Sequence, residues 1–396
     1  MRFLWGGKAR VFVLESLNSF ATSIYFLYYF FFTREHFGFG DRANLALAAW
    51  HGLIYAAFSI LAGRYAQRQG YEKSLRLGFS VMGLSMLAAS FSRDLAVHVA
   101  VVSVWSFGMA FTWPALEAMA STKETPLGLQ RALGIYNLVW AASCSVAYFA
   151  GGALIEALGE NSRFWVPALL HALQLVLLIR PVDCRPLGAG RALEGAGREL
   201  NPRPIAKAKS FLHMAWLANP FAYIAINSVL PVIPTLAERF ALPPSAVGFF
   251  CSLWFFGRFA AFAILWKWTG WHYRRSWFFT AYAGLIAGFM GLLLAPNLAV
   301  AVGAQLVFGL ALGLIYYSSL FYSMDAGDAH GEHGGLHEAA LGVGIFAGPA
   351  AGAASLWLAP DHPDVGTWTV GGLLLVGWVA LVVVWRRDRG RRVSLD

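Results

Sequence analysis

Residues 61–73 read LAGRYAQRQGYEK, and within them Gly63, Arg64, Arg68 and Gly70 form a short basic stretch bracketed by glycines. The chain on each side is predominantly apolar, over about 43–63 before it and 73–92 after it. One crossing of a bilayer needs about 20 such residues. The stretch therefore reads as a tight polar turn joining two membrane spans. Working outward from it, the same pattern places spans at about 11–33, 95–120, 132–155 and 164–180. A polar segment follows at 181–209, and six more spans come at about 211–236, 244–266, 275–295, 297–322, 339–359 and 367–385. The run from Val11 is too long for a cleaved leader and has no small-residue cleavage site, so it reads as the first span.

Composition agrees. Of 396 residues, 58% are hydrophobic and 13% are charged, against about half and about a quarter in soluble chains. This excludes intrinsic disorder and makes a soluble enzyme improbable. The apolar runs are also too long for the alternating segments of about ten residues in a membrane barrel. The expectation is an all-α polytopic protein of twelve transmembrane helices in two pseudo-symmetric six-helix bundles: 1–180, then a linker 181–209, then 210–396 with a basic tail. With both termini inside, inner segments hold 25 of the 30 Lys and Arg, and Arg34, Arg42, Arg93, Arg163 and Arg239 fall outside. That asymmetry satisfies the positive-inside rule and suits a bacterial-type inner membrane. The net charge of +9 then reflects topology, because it is spread over separate segments, and does not point to nucleic acid. Three scattered cysteines, Cys144, Cys184 and Cys251, give neither a disulfide framework nor a metal spacing.

The halves read as copies. FAILWKWTGWHYRR (262–275) answers the opening stretch, with Gly270 opposite Gly70. RALGIYN (131–137) lies against EHGGLHE (332–338), and AYFAGG (147–152) against GPAAGA (348–353), both at an offset of 201. Weak internal similarity of this kind marks duplicated transporter folds. The G-R-x-x-x-R-x-G stretch at Gly63–Gly70 and the G-x-x-x-G-P-x-x-G stretch at Gly344–Gly352 resemble the major facilitator superfamily over essentially the whole chain. The resemblance implies alternating access around a central site, with Gly63, Arg64, Arg68 and Gly70 latching the inward face and Gly348 and Pro349 serving the gate. Three departures stand out: Tyr148 replaces the expected Pro in the fifth span, the intact Gly-Pro motif is in the eleventh, and the fourth span lacks an Arg.

An ionisable group inside a bilayer costs at least about 2.5 kcal/mol, so each is a functional candidate. Arg258 lies in FFCSLWFFGRFAAFAILW, near mid-bilayer at about 1.5 Å per residue. It suits an anionic substrate group or a carboxylate counter-ion; snorkelling to the interface is the structural alternative. Glu15, Asn18, Thr22, Tyr25 and Tyr29 repeat at three and four residues, one helical face expected to line the cavity. Glu15 is the candidate proton carrier, with a packing role near the end of the span weighed equally. His51, with Tyr55 one turn on, is a candidate relay, although a neutral core histidine is the commoner case; His171 gets the same reading. Glu117 would gate one face or pair with the loop carrying Lys123 and Arg131, the pairing being the plainer role. Asn219, Tyr223 and Asn227 line one side of the seventh span ahead of Pro231 and Pro234, which suit a bend. Trp140, Tyr316, Ser319 and Ser323 complete a candidate cavity with aromatic walls.

The segment Asp325–Glu338, DAGDAHGEHGGLHE, contains neither Lys nor Arg. Its histidines and carboxylates lack a strict ligand pattern, so it reads as a solvated Gly-rich loop and no metal is assigned. Glu338, at the entry to the eleventh span, is a further proton-coupling candidate. No GxxxxGK[ST] phosphate loop and no nucleophile–base cluster occur, so neither ATP, another cofactor nor an enzyme activity is expected. The reading is a monomeric secondary transporter of a small amphipathic solute, with Arg258 suited to an anionic group and protons as the coupling ion. An uncoupled facilitator or drug or lipid exporter of the same fold, and a non-transporting receptor, are the other readings.

Overall fold

The computed structural model describes residues 8–122, 124, 126–182, 205–326 and 332–393. Its secondary structure is helical: α1 (Ala9–Phe37), α2 (Asp41–Gln69), α3 (Tyr71–Ala89), α4 (Leu95–Ala110), α5 (Trp113–Ser121), α6 (Pro126–Leu158), α7 (Ser162–Leu177), α8 (Ile205–Val229), α9 (Ile233–Arg239), α10 (Pro244–Lys267), α11 (Arg275–Leu293), α12 (Leu298–Ala326), α13 (Glu332–Leu358) and α14 (Val365–Val393). No strand occurs among the described residues.

Among the described residues, ten helical units are long and apolar enough to cross a membrane. Two of them are broken helices. α4 and α5 form one unit, Leu95–Ser121, interrupted where Pro114 enters the first turn of α5 and removes a backbone donor. α8 and α9 form another, Ala208–Arg239, joined by a single 3-10 turn, Leu230–Val232, with Pro231 and Pro234 at the two helix starts. The bend expected from these prolines is therefore present. The two remaining positions in the expected order are α7, which has 16 residues, and α3, which carries Glu72, Lys73 and Arg76 in its first turns. The expectation of twelve spans is thus met in order, with ten meeting the full length and apolarity of a crossing.

Several boundaries lie elsewhere than expected. Most of the basic stretch at 63–70 is not a loop: α2 runs on to Gln69, and the turn is Gly70 alone, at φ 96°. That backbone region is open to glycine and strained for other residues. The expected Gly-rich loop 325–338 is helical at both ends, through Ala326 and from Glu332, and 327–331 lie outside the described residues. Most of the linker, 183–204, is also outside them, while 205–209 belong to α8. α14 extends to Val393, well past the expected 385.

The first half of the chain packs α1 on α6 and α7, and α3 on α4 and α7; the second packs α11 and α10 on α12, and α8 on α12, α13 and α14. Two seams join the halves, α2 on α13 and α6 on α10. At the first, a Cβ on Gly52 would meet the Phe346 amide nitrogen at 2.5 Å; at the second, one on Gly248 would meet the Phe149 carbonyl at 2.6 Å. The backbones touch there, and only glycine admits that approach. Outward-pointing side chains are apolar, such as Phe91 (84% exposed), Leu358 (74%) and Ile179 (73%), as expected of a surface solvated by lipid. This is an integral membrane protein.

At the end of the molecule rich in Arg and Lys, a buried ion pair joins Lys8 Nζ to Glu124 Oε1 at 2.5 Å, and Lys8 also donates to the Ala120 carbonyl. Arg10 donates to the carbonyls of Arg180 and Pro181, and Arg76 to that of Leu178. These bonds satisfy carbonyls that α7 leaves open at its C-terminus. At the opposite end Arg34 Nε and Nη2 donate to both Glu238 carboxylate oxygens, at 2.6 and 2.5 Å, and Nη1 donates to Thr235 Oγ1 at 3.0 Å. Thr235 in turn donates to Asp41. This group ties α1 and α2 to α9.

Candidate functional site

Three intramembrane carboxylates converge on the middle of the fold, each with a tyrosine hydroxyl donating to it. Glu15, on α1, is fully buried and accepts from Tyr136 at 2.7 Å, from Ser19 at 2.5 Å and from Trp113 Nε1 at 3.4 Å. Glu338, on α13, accepts from Tyr55 of α2 at 2.5 Å. Glu117, on α5, accepts from Tyr316 of α12 at 3.3 Å. The last two bonds cross between the halves of the chain, and the first stays inside one half. The three carboxylates lie within electrostatic reach of one another.

Arg258 is 2% exposed. Its guanidinium carbon lies 4.3 Å from the Trp140 ring centre, 4.8 Å from that of Tyr316 and 5.6 Å from that of Phe262. The Trp140 and Tyr316 rings are within 10° of parallel, with centres 6.1 Å apart, so the guanidinium is wedged at the mouth of a two-ring clamp. The Tyr223 hydroxyl lies within electrostatic reach of it. Its Nε has no partner, and no ion pair to Arg258 occurs among the described residues. Contact with aromatic rings is favourable for a planar cation, but it leaves Nε without an acceptor. Trp113, Glu117, Trp140 and Tyr223 remain partly exposed although their partners lie in other spans.

The structure brings together Glu15, Glu117, Glu338, Arg258, Trp140, Tyr223, Tyr316 and Tyr55. The other candidates have the following surroundings. His51 bonds Ser106 through Nδ1 at 2.7 Å and packs on Phe26 and Trp105. Because Ser106 spends its proton on the Val102 carbonyl, the network assigns the His51 proton to Nδ1, a neutral core arrangement. His171 is held by Gln174. Tyr25 packs inside the first half, 4.7 Å from the Trp105 ring centre and 6.1 Å from that of Phe164. Asn18 and Thr22 are buried without partners among the described residues. Asn227 bonds its own helix at the Tyr223 carbonyl, and Ser319 is buried on α12.

Glu117 has a partner in the other half of the chain. Its bond goes to Tyr316, and among the described residues it has no ion pair with Arg131; Lys123 lies outside them. Arg64 and Arg68 are exposed on the last turns of α2. Gly348 packs on α8, where a Cβ would meet the Ile224 carbonyl at 2.5 Å, and Pro349 follows within α13. Sequence reasoning missed Tyr136 and Phe262. Phe262 is one helical turn from Arg258 and was open to a search for partners on helical spacing, whereas Tyr136 sits on a different span from Glu15 and was not.

The profile of the family described as Major Facilitator Superfamily matches residues 11–232. The chain belongs to this superfamily. Curated relatives include the riboflavin transporter RfnT of Brucella anthropi, 28% identical over 38% of this chain and 37% of the relative. The methyl viologen resistance protein SmvA of Salmonella typhimurium is 27% identical over 36% of this chain and 28% of the relative. The vesicular acetylcholine transporter of Torpedo torpedo is 28% identical over 35% and 29% respectively. The matched stretch thus spans about a third of these relatives. Solved structures cover far more of the fold. The nucleoside transporter NupG aligns with 96% of this chain and 98% of its own at TM-score 0.67 and 12% identity. The human organic anion transporter MFSD10 aligns with 94% and 98% at TM-score 0.63 and 16% identity. At these identities the likeness concerns the superfamily fold.

Proposed function

We propose that this protein is a secondary transporter that moves a small organic solute across a membrane by alternating access and couples the movement to protons. The observation that carries the reading is the pair of tyrosine–carboxylate bonds, Tyr55 to Glu338 and Tyr316 to Glu117, that cross between the halves inside the spans. A hydrogen bond to an ionised carboxylate is roughly twice as strong as one between neutral groups. Protonating either glutamate loosens a tie between halves that must separate for the site to open. A carboxylate that stays ionised and unpaired in this setting is costly, so protonation and rocking are linked. Family membership and the transport roles of the curated relatives favour the same class. The charge asymmetry supports an orientation with both termini on the cytoplasmic side.

The test is flux in proteoliposomes with a pH-sensitive dye inside. Riboflavin and a panel of organic acids, organic cations and nucleosides serve as solutes. The expected result is proton movement that requires a particular solute and falls about tenfold in Glu338→Gln and Glu117→Gln, within the usual range of coupling energies. Solute flux indifferent to the pH gradient in wild type would instead identify an uncoupled facilitator. Binding without flux would identify a receptor.

A further inference from the structure

We infer that the wedge of Arg258 between Trp140 and Tyr316 is the substrate-recognition point, and that it takes a planar organic carboxylate. This rests on the transporter reading above and names its substrate class. The argument starts from the geometry of the guanidinium. Aromatic rings pack against it: Trp140 on α6 and Tyr316 on α12, with Phe262 one turn along α10. Its buried Nε has no partner. A guanidinium edge presents paired N–H donors at the spacing of two carboxylate oxygens. A buried cation without an ion pair among the described residues is costly until something meets it, and an incoming carboxylate is the shape that does.

The clamp is also composite. Trp140 comes from the first half, Arg258, Phe262 and Tyr316 from the second. Separating the halves along the α6–α10 seam moves Trp140 away from the guanidinium. Bound anion and clamp geometry are therefore tied to the same rocking motion as the tyrosine–glutamate bonds.

The surroundings set the pH response. The groups with electrostatic reach into this region are Glu15 on α1, Glu117 on α5, Glu338 on α13, Tyr136 and Cys144 on α6, Tyr223 on α8 and Tyr316 on α12. The three glutamates act on one another, while Arg258 acts on Cys144, Tyr223 and Tyr316; an entering carboxylate adds negative charge near the glutamates, so their protonation favours its binding.

The test is binding to the purified full-length protein, read by tryptophan fluorescence and thermal shift. The probes are carboxylates paired with their neutral amides, among them benzoate with benzamide and phenylacetate with phenylacetamide, and benzyltrimethylammonium as the cation of matching size. The expected result is that at least one carboxylate binds more than about tenfold tighter than its amide, since a charged hydrogen-bonding partner is lost in the amide. That preference disappears in Arg258→Met. Preference for no carboxylate over its amide in wild type overturns the assignment without recourse to any variant. So does tighter binding of benzyltrimethylammonium, or a carboxylate preference that survives in Arg258→Met. The binding assay needs no gradient, so it separates from the flux test: a carboxylate that binds through Arg258 but moves without protons sinks the coupling and leaves this site standing.

Discussion

At the scale of single residues, the fold distributes four intramembrane charges so that each glutamate has a tyrosine and the arginine has rings. Arg258, Glu15 and Glu338 were legible in the sequence because a charge in an apolar run is rare and expensive. Their partners were not, because Tyr136, Tyr55 and Trp140 sit on other spans, and no helical spacing relates them to the charge they serve. The partner of Glu117 was hidden for the same reason: the sequence offered a gating role or the nearby Arg131, whereas the fold brings up Tyr316, 199 positions away. The two kinds of tyrosine make different predictions. Tyr55→Phe removes a tie between halves, and Tyr136→Phe removes one of three donors to Glu15 within a half. In the flux assay Tyr55→Phe is expected to change the pH dependence of solute movement, with an optimum displaced from wild type. Tyr136→Phe should keep the wild-type optimum. Equal displacement in both would detach coupling from the crossing bond.

At the scale of elements, periodicity and apolar run length found the helices, and charge misplaced their ends. Arg64 and Arg68 looked like loop residues, yet α2 carries them on its final turns, since a helix does not stop where the bilayer does. The glycine-rich run before Glu338 looked like loop because glycine is a poor helix former; part of it nonetheless extends α13. The α2–α13 seam was invisible for another reason. Gly52 matters through what lies 2.5 Å from a Cβ it does not have, and only the assembled pair of helices reveals that. Gly52→Val is expected to lower stability by about 1–3 kcal/mol through overpacking against backbone that cannot yield. Gly303, where a Cβ meets nothing within 4 Å, is the control: Gly303→Ala should raise stability by up to about 1 kcal/mol, the propensity difference within a helix. Thermal unfolding in detergent compares them, and a Gly52→Val protein as stable as wild type would remove the close seam.

At the scale of the whole molecule, the two ends are held differently. Away from the basic end, Arg34 bridges α1 to Glu238 and Thr235 of α9. Arg34 and Glu238 are partly exposed, 25% and 61%, so the pair contributes only about 0.2–1 kcal/mol to stability. That is enough to bias two conformations of nearly equal energy. Arg34→Ala should leave the melting temperature nearly unchanged while opening this end. Ser228, buried beside a small cavity shared with Asp41 and Thr235, reports it. A cysteine at 228 should react faster with an impermeant maleimide when Arg34 is replaced, and an unchanged rate would show that the bridge holds nothing shut.

The central claim is that protons enter the cycle through carboxylates tied across the halves, and Glu338 tests it most directly. The measurement is solute-driven proton movement in proteoliposomes, wild type beside Glu338→Gln, with solute binding measured on the same preparations. The account predicts that Glu338→Gln binds the solute and moves about tenfold fewer protons per unit time than wild type. Proton movement at the wild-type rate in Glu338→Gln, with binding intact, would contradict it.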